Sequence, residues 1–306
     1  MTMKTGTTAT PAVTAGEKEE TEKIPPNDAN TPRQFRMVAL DLDGTLLNSQ
    51  HQPSEVTKAC LRRLEDQGFV ISIATGRAIT TVYETVKALN LCQPIPVVCS
   101  NGAQGYMCSL AEGPDGERKV EKKPLFSTPV PAVVAQKTID LAKEMGCISQ
   151  YYVGEDIFAD PREPYDYKVA ELYIDLTGSQ TQYVKDHFQA AIQKGPPSKQ
   201  LVLCKVEEQD QMMEAFDREL SKEPILSMGR EPILCEVIWE ETVAFGDGDN
   251  DLEFIQMAGK GIAMSNAADV VKKVADQVID LNNDEDGVAK TLERLEAEGV
   301  LVFSTE

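Results

Sequence analysis

Histidine and tryptophan are nearly missing from this chain, which has two of the first and one of the second, and its seven cysteines form no C-x-x-C pair. A structural zinc site needs clustered thiolates or imidazoles, so zinc chemistry is excluded. The cysteines (Cys60, Cys92, Cys99, Cys108, Cys147, Cys204, Cys235) are odd in number and scattered, which excludes a disulfide framework. They read as small buried hydrophobes of a protein kept reduced in the cytoplasm. Basic charge is also short: 30 Lys and Arg stand against 50 Asp and Glu, a formal charge of −20. Nothing is left over to neutralise a phosphate backbone, so nucleic acid and anionic membranes are excluded as partners. No apolar run approaches the roughly 20 residues of a membrane span, and none near the N-terminus resembles a signal-peptide core.

What is present suffices for one large core and a smaller one: 306 residues, 42% of them apolar. Residues 1–34, rich in Thr, Ala, Glu, Lys and Pro, are expected to form a disordered tail. From residue 35 strand-like and helix-like segments alternate: 35–40, then a helix over 54–67 with Ser54 as N-cap and Gly68 as stop, a strand over 69–74, a helix over 78–89 and a strand over 95–99. That order implies right-handed crossovers and a parallel sheet with helices on both faces. A Gly, Asp and Pro-rich passage follows at 112–131. Beyond it helices (133–145, 184–194, 209–221) mix with strands (150–153, 170–176, 200–206, 233–238), which suggests an α+β insert. The parallel pattern resumes at 242–245 and continues through 252–257, 261–264, 268–274, 277–279 and a last helix at 285–298. Expected boundaries are core 35–110, insert 111–238 and core 239–306.

Three strand ends carry polar strings. In Asp41-Leu42-Asp43-Gly44-Thr45, alternation lets Asp41 and Asp43 face one site at the carboxyl edge of the sheet, where ligands of open parallel sheets bind. An aspartate there can attack phosphorus, and a second carboxylate can protonate the leaving alkoxide and then activate water. Thr75-Gly76-Arg77 ends one strand and opens a helix, which suits either a phosphate cradle or a plain cap. Gly246-Asp247-Gly248-Asp249-Asn250-Asp251 adds further carboxylates, without the ligand spacing of an EF-hand. Converging carboxylates repel, so a hard divalent ion such as Mg²⁺ is the expected partner. Ser100-Asn101-Gly102 reads as a turn or a hinge into the insert.

DLDGTLLNS, the ATGR of 74–77, the SNGA of 100–103, AFGDGDND, GIAMSNA and DEDGVA together resemble the Cof-type sugar phosphatases of the haloacid dehalogenase superfamily, over roughly 35–297. The resemblance implies a Rossmann-like α/β core with an inserted α+β cap, and a Mg²⁺-dependent phosphatase of small phosphorylated metabolites. By the same resemblance Asp41 is the nucleophile and Asp43 the acid/base. Mg²⁺ is implied on Asp41, the Asp43 main-chain carbonyl and Asp247, with Asp251 supporting its shell. Thr75, Gly76 and Asn250 are implied to bind the substrate phosphate.

One piece is absent. Members of the family carry a Gly-x-x-Lys-Gly segment and a helix after the cap, whereas here Cys235 to Trp239 runs straight into Glu240-Glu241-Thr242. A catalytic lysine is therefore lacking from its usual place, and reduced turnover is expected. The remaining cations nearby, Arg77, Lys260, Lys199 and Lys205, are each expected to be solvated surface groups. The linking residues 239–241 reach roughly 10 Å, against about 17 Å for the length of a five-residue strand. Strain is expected at the junction: an unravelled cap strand, a shifted core strand or a displaced cap. Bare apolar sheet surface, lowered stability and association through that face are expected too. Two other functions compete with the phosphatase: a non-catalytic phospho-ligand-binding pseudoenzyme and a phosphomutase. The insert holds few clustered basic residues, which disfavours the mutase.

Overall fold

The computed structural model describes residues 35–113, 116–177, 180–185, 188–220 and 239–301; the tail at 1–34 and the strand expected at 233–238 lie outside them. The first elements are β1 (Met37–Leu40), α1 (Glu55–Asp66), β2 (Val70–Ala74), α2 (Ile79–Leu89) and β3 (Ile95–Cys99). Then come β4 (Gln104–Glu112), β5 (Arg118–Ser127), α3 (Ala132–Glu144), β6 (Ile148–Val153), β7 (Asp156–Ala159), α4 (Pro164–Thr177) and β8 (Thr181–Tyr183). The chain continues through α5 (Gln189–Lys194), β9 (Lys199–Leu203), α6 (Gln209–Leu220), β10 (Thr242–Gly246), α7 (Leu252–Met257) and β11 (Lys260–Ala263). α8 (Asp269–Val274), β12 (Gln277–Val278) and α9 (Gly287–Ala297) complete it.

Among the described residues the strands form two sheets, one ordered β12-β11-β10-β1-β2-β3-β4-β5 and one ordered β8-β7-β6-β9. The six strands from β12 to β3 run parallel. Strand alternation divides their side chains between two layers. Val38 and Leu40 join Leu61 of α1, Val82 of α2 and Leu292 of α9, while Ala39 faces Ile255 of α7 and Val271 of α8. The chain runs outward from β1 to β2 and β3 on one side, and from β10 to β11 and β12 on the other. The crevice between β1 and β10 is thus the switch point where such sheets bind ligands. Ser54 caps α1, its Oγ accepting the Thr57 amide at 3.1 Å, and Gly68 follows in the left-handed region.

Three expectations need correction, and one of the three alternatives for the junction, a shifted core strand, falls away. The Gly, Asp and Pro-rich passage at 112–131 contains β5, which pairs antiparallel with β4 and so belongs to the large sheet, past the boundary expected at 110/111. Its Arg, Lys, Glu and Pro content is that of a protected edge strand, hence the loop-like sequence. The strand expected at 170–176 is part of α4. Pro164 suits a first helical position, and the Asp166 carboxylate accepts the Arg162 and Glu163 amides at 2.9 and 3.0 Å, which outweighs the β-like run beyond. The helix expected from 184 begins only at Gln189, because Phe188 holds a φ of 63° with its ring buried against Tyr151. Finally, β10 keeps both neighbours, from Met37↔Thr242 to Leu40↔Phe245 and from Val243↔Lys260 to Gly246↔Ala263. The core strand is therefore fully paired, and residues Trp239–Glu241 turn tightly before it, the Glu241 carbonyl accepting the Arg36 amide at 2.7 Å. No large apolar side chain of β1, β2 or β3 is exposed, although Val70 and Val98, on the same face as Ala39, Ser72 and Ala74, are partly accessible.

Candidate active site

Adjacent strands in parallel register bring their carboxyl ends together, and here those ends are acidic. Asp41 follows β1, buried, its amide donating to the Phe245 carbonyl of β10 at 3.1 Å. Asp247 follows β10, and Asp251 ends the short turn Asp249–Asp251 that leads into α7. One carboxylate oxygen each from Asp41, Asp247 and Asp251 lies within 4.8 Å of the other two. Gly44 makes the approach possible: its φ of +80° suits glycine, and a Cβ there would strike the Asp247 carboxylate. Thr45 Oγ1 donates to Asp247 Oδ1 at 2.7 Å, and Asn266 Nδ2 donates to Asp247 Oδ2 at 3.3 Å and to the Gly44 carbonyl at 2.9 Å. Asp251 Oδ2 accepts the amides of Asp247 and Gly248 at 2.8 and 2.9 Å, and Asn250 Nδ2 donates to its Oδ1 at 3.0 Å.

All three carboxyls hold their protons more tightly than usual. Burial raises Asp41 well above its ordinary value and Asp251 adds to this; the Leu42 amide opposes, while Asp247 and Asp43 push further upward. Burial also raises Asp247, with the Thr45 hydroxyl opposing, and lifts Asp251 to about 6 against the pull of its two amide bonds. Three buried, mutually repelling, all-oxygen donors are a set that a hard divalent cation relieves, so the cluster fits a metal ion.

Beside this group the Thr75 loop forms a second polar edge. Thr75 is buried and its Oγ1 accepts the Arg77 amide at 3.2 Å. The first turn of α2 has no side-chain cap, since Ala78 stands at that position. Ser100 and Asn101 both have φ near 55°, and their amides donate to the Arg77 and Thr75 carbonyls at 2.9 and 3.3 Å. The turn after β3 thus braces the Thr75 loop, which the sequence alone does not disclose. Asp43 stands outside the carboxylate trio, half-exposed, and takes two bonds from Arg77: Nε to Oδ2 at 2.7 Å and Nη2 to Oδ1 at 2.5 Å. Arg77, expected to be solvated, is only 14% exposed in this pair.

These edges floor an open cavity of about 220 Å³ whose other wall comes from the smaller sheet. Ile157, Tyr152 and Lys199 occupy facing positions across β7, β6 and β9, and Tyr173 of α4 joins them. The opposite face of that sheet packs Tyr151 and Phe158 against Ile139 of α3 and Ala191 of α5. The Tyr152 hydroxyl donates to Gln150 Oε1 at 2.8 Å and lies 3.0 Å from the Tyr173 hydroxyl. Lys199 also departs from expectation: its Nζ donates to the Gly76 carbonyl at 2.9 Å and lies 5.5 Å from the Tyr152 ring centroid. Burial pushes its ammonium pKa down. Lys205 is exposed and paired with Glu208 at 3.2 Å, as expected, and Lys260 opens β11 at the far edge of the sheet. Of the expected site residues, Asp41, Asp43, Thr75, Gly76 and Asn250 line the cavity, while Asp247 and Asp251 reach Asp41 from beside it. The expectation missed Thr45 and Asn266 as Asp247 partners and Arg77, Tyr152, Tyr173 and Lys199 as lining. Thr45, Arg77 and Asn266 left a sequence signal, in the DLDGT, ATGR and GIAMSNA strings; Tyr152, Tyr173 and Lys199 left none.

Comparison with known proteins agrees with this geometry. The family model for haloacid dehalogenase-like hydrolases matches residues 38–238 and 236–292, two stretches that meet where the lysine-bearing segment is lacking. The chain is 26% identical over 264 residues to the 5-amino-6-(5-phospho-D-ribitylamino)uracil phosphatase YcsE of Bacillus subtilis, covering 84% of this chain and 94% of that protein. It is 28% identical over 278 residues to YitU, a phosphatase of the same description from that organism, covering 84% and 96%. A haloacid dehalogenase-like hydrolase of Bacteroides thetaiotaomicron shares the fold with a TM-score of 0.66 at 24% identity, over 86% of this chain and all of that one (100%). The motif strings, the sheet order and the family match converge: this chain belongs to the haloacid dehalogenase-like hydrolases, as a phosphatase of the Cof type with an inserted α+β cap.

Proposed function

We propose that this enzyme is a cytoplasmic, Mg²⁺-dependent phosphatase of small phosphorylated metabolites of the sugar-phosphate type, working through an aspartyl-phosphate. The observation that carries the reading is the meeting of Asp41, Asp247 and Asp251 within 4.8 Å at the β1 and β10 ends, beside Thr75 and Gly76. In the first step an Asp41 oxygen attacks phosphorus, the ester P–O bond breaks, and the leaving alkoxide takes a proton from Asp43. In the second, Asp43 removes a proton from water, whose oxygen attacks the acyl phosphate, freeing inorganic phosphate and regenerating Asp41. Asp43 can serve only when its two Arg77 bonds open. Thr75 and Gly76 would orient the phosphoryl oxygens, with Asn250 at the cavity edge. Mg²⁺ held by Asp41, Asp247 and the main chain at Asp43, with Asp251 supporting, would supply charge neutralisation at those oxygens.

A cavity of about 220 Å³ suits a small leaving group. YcsE and YitU act on a phosphorylated ribitylamino uracil, so polyol and sugar phosphates head the substrate panel. In this reading the cap is the segment carrying the smaller sheet, beginning after β5. The test is phosphate release from such a panel and from p-nitrophenyl phosphate, with and without Mg²⁺, beside Asp41→Asn. Mg²⁺-dependent release lost in the variant supports the reading; equal release by both sinks it. A phospho-ligand-binding role without turnover is the second reading, favoured by the lacking lysine segment. Binding of phosphate esters by a chain that never hydrolyses them would establish it.

A further inference from the structure

We infer that Lys199 supplies, from the cap, positive charge at the transferring phosphoryl group in place of the lysine that this sequence lacks in its core. The inference rests on the phosphatase reading above. Lys199 reaches the site through strand register: it sits opposite Tyr152 on the face of the smaller sheet that lines the cavity. Its Nζ is 2.9 Å from the Gly76 carbonyl, within the loop that Thr75 begins. An ammonium carries three donors, and the Gly76 bond takes one, leaving two for oxygens in the cavity. No carboxylate pairs with Lys199 among the described residues; its other neighbour is the Tyr152 ring at 5.5 Å. A partly buried ammonium without an ionic partner is costly unless an anion completes it, and a phosphoryl group is the anion this cavity is built for.

Of the other nearby cations, Lys205 is exposed and bound to Glu208, and Arg77, which also lines the cavity, is held by two bonds to Asp43 until Asp43 acts. Across the cavity Asp41, Asp43, Asp247 and Asp251 concentrate negative charge, against which an incoming phosphate monoester needs a local cation beyond the metal. Lysine, a compact charge on a flexible stem, can follow the phosphoryl oxygens as charge shifts in the transition state.

The alternative is that Lys199 merely clasps cap to core through Gly76. Lys199→Gln separates the two, because its amide can still donate to the Gly76 carbonyl but carries no charge. The assay is Mg²⁺-dependent hydrolysis of p-nitrophenyl phosphate and its inhibition by orthovanadate, with melting recorded, for wild type, Lys199→Gln, Lys199→Arg and Lys205→Ala. Lys199→Gln is expected to lower kcat by about 10² to 10³-fold and to weaken vanadate inhibition comparably, with an unchanged Tm. Lys199→Arg should regain part of both losses, and Lys205→Ala should match wild type. Full turnover and full vanadate inhibition in Lys199→Gln would overturn the inference while wild-type activity and a dead Asp41→Asn left the phosphatase reading standing. A wild-type chain no more active than Asp41→Asn would overturn both.

Discussion

The two walls of the cavity were assembled by different rules. The floor is made of contiguous strings at the ends of neighbouring parallel strands, so Asp41 through Thr45 and Asp247 through Asp251 each bring their own turn, glycine and carboxylates. The opposite wall is a row of single residues, Ile157, Tyr152 and Lys199, drawn from three strands that only antiparallel register places side by side. The floor is acidic, with Asp41 and Asp251 buried at its base, while the wall is aromatic with one cation. Chemistry that depends on geometry over a few ångströms is encoded locally. The charge that balances it is encoded through long-range pairing.

The sharpest way to break this contrast is to remove the floor's central group. Asp41→Asn is expected to lower turnover by about 10⁴-fold or more, measured as phosphate release under saturating Mg²⁺, because a nucleophile acts as a unit with its partners. Substitution of Lys199 in the wall should cost less, as set out above. Gly44→Ala comes next. The φ of +80° and the Asp247 carboxylate in the path of a Cβ predict a loss of about 1–3 kcal/mol of stability together with weakened metal binding. Urea unfolding and metal titration would record the two effects, and a variant as stable as wild type would show that the turn tolerates a side chain.

This contrast also explains what was legible beforehand. The strand, helix and strand order from β1 to β3 and from β10 to α9 could be read because apolar runs and helical spacing agree there with the final packing. Asp41, Thr75 and Asp247 could be read because each follows such a run directly. β5 could not, since an edge strand with alternating Arg, Lys and Glu has the composition of a loop. Nor could α4, whose Tyr173 enters the cavity, because the apolar residues of 170–176 fit both periods and the helix is decided upstream at Pro164 and Asp166. Lys199 was read as a solvated cation because nothing at 199 points to Gly76, more than a hundred residues earlier.

Two smaller effects sharpen the comparison. The Asp251 carboxyl is lifted from 3.8 to about 6, so it holds its proton more tightly folded than unfolded. Its contribution to stability is full below the ordinary carboxylate value and is lost as pH rises through about 6. Metal-free protein in EDTA should therefore melt at lower temperature at pH 7 than at pH 5, and Mg²⁺ should shrink that difference; a flat profile in EDTA would contradict the charge repulsion assigned to the floor. In the wall, Tyr173→Phe removes one hydroxyl from a hydrogen-bonded pair and should change kcat/KM by only several-fold, in a substrate-dependent way, consistent with about 0.5–1.5 kcal/mol for one hydrogen bond.

The claim beneath all of these is that Asp41, Asp247 and Asp251 enclose one divalent ion. Isothermal titration of EDTA-stripped protein with Mg²⁺, wild type beside Asp247→Asn, addresses it most directly. One binding site per chain in the wild type, lost or greatly weakened in the variant, is the predicted result. Undiminished Mg²⁺ binding by Asp247→Asn, or none by the wild type, would contradict it.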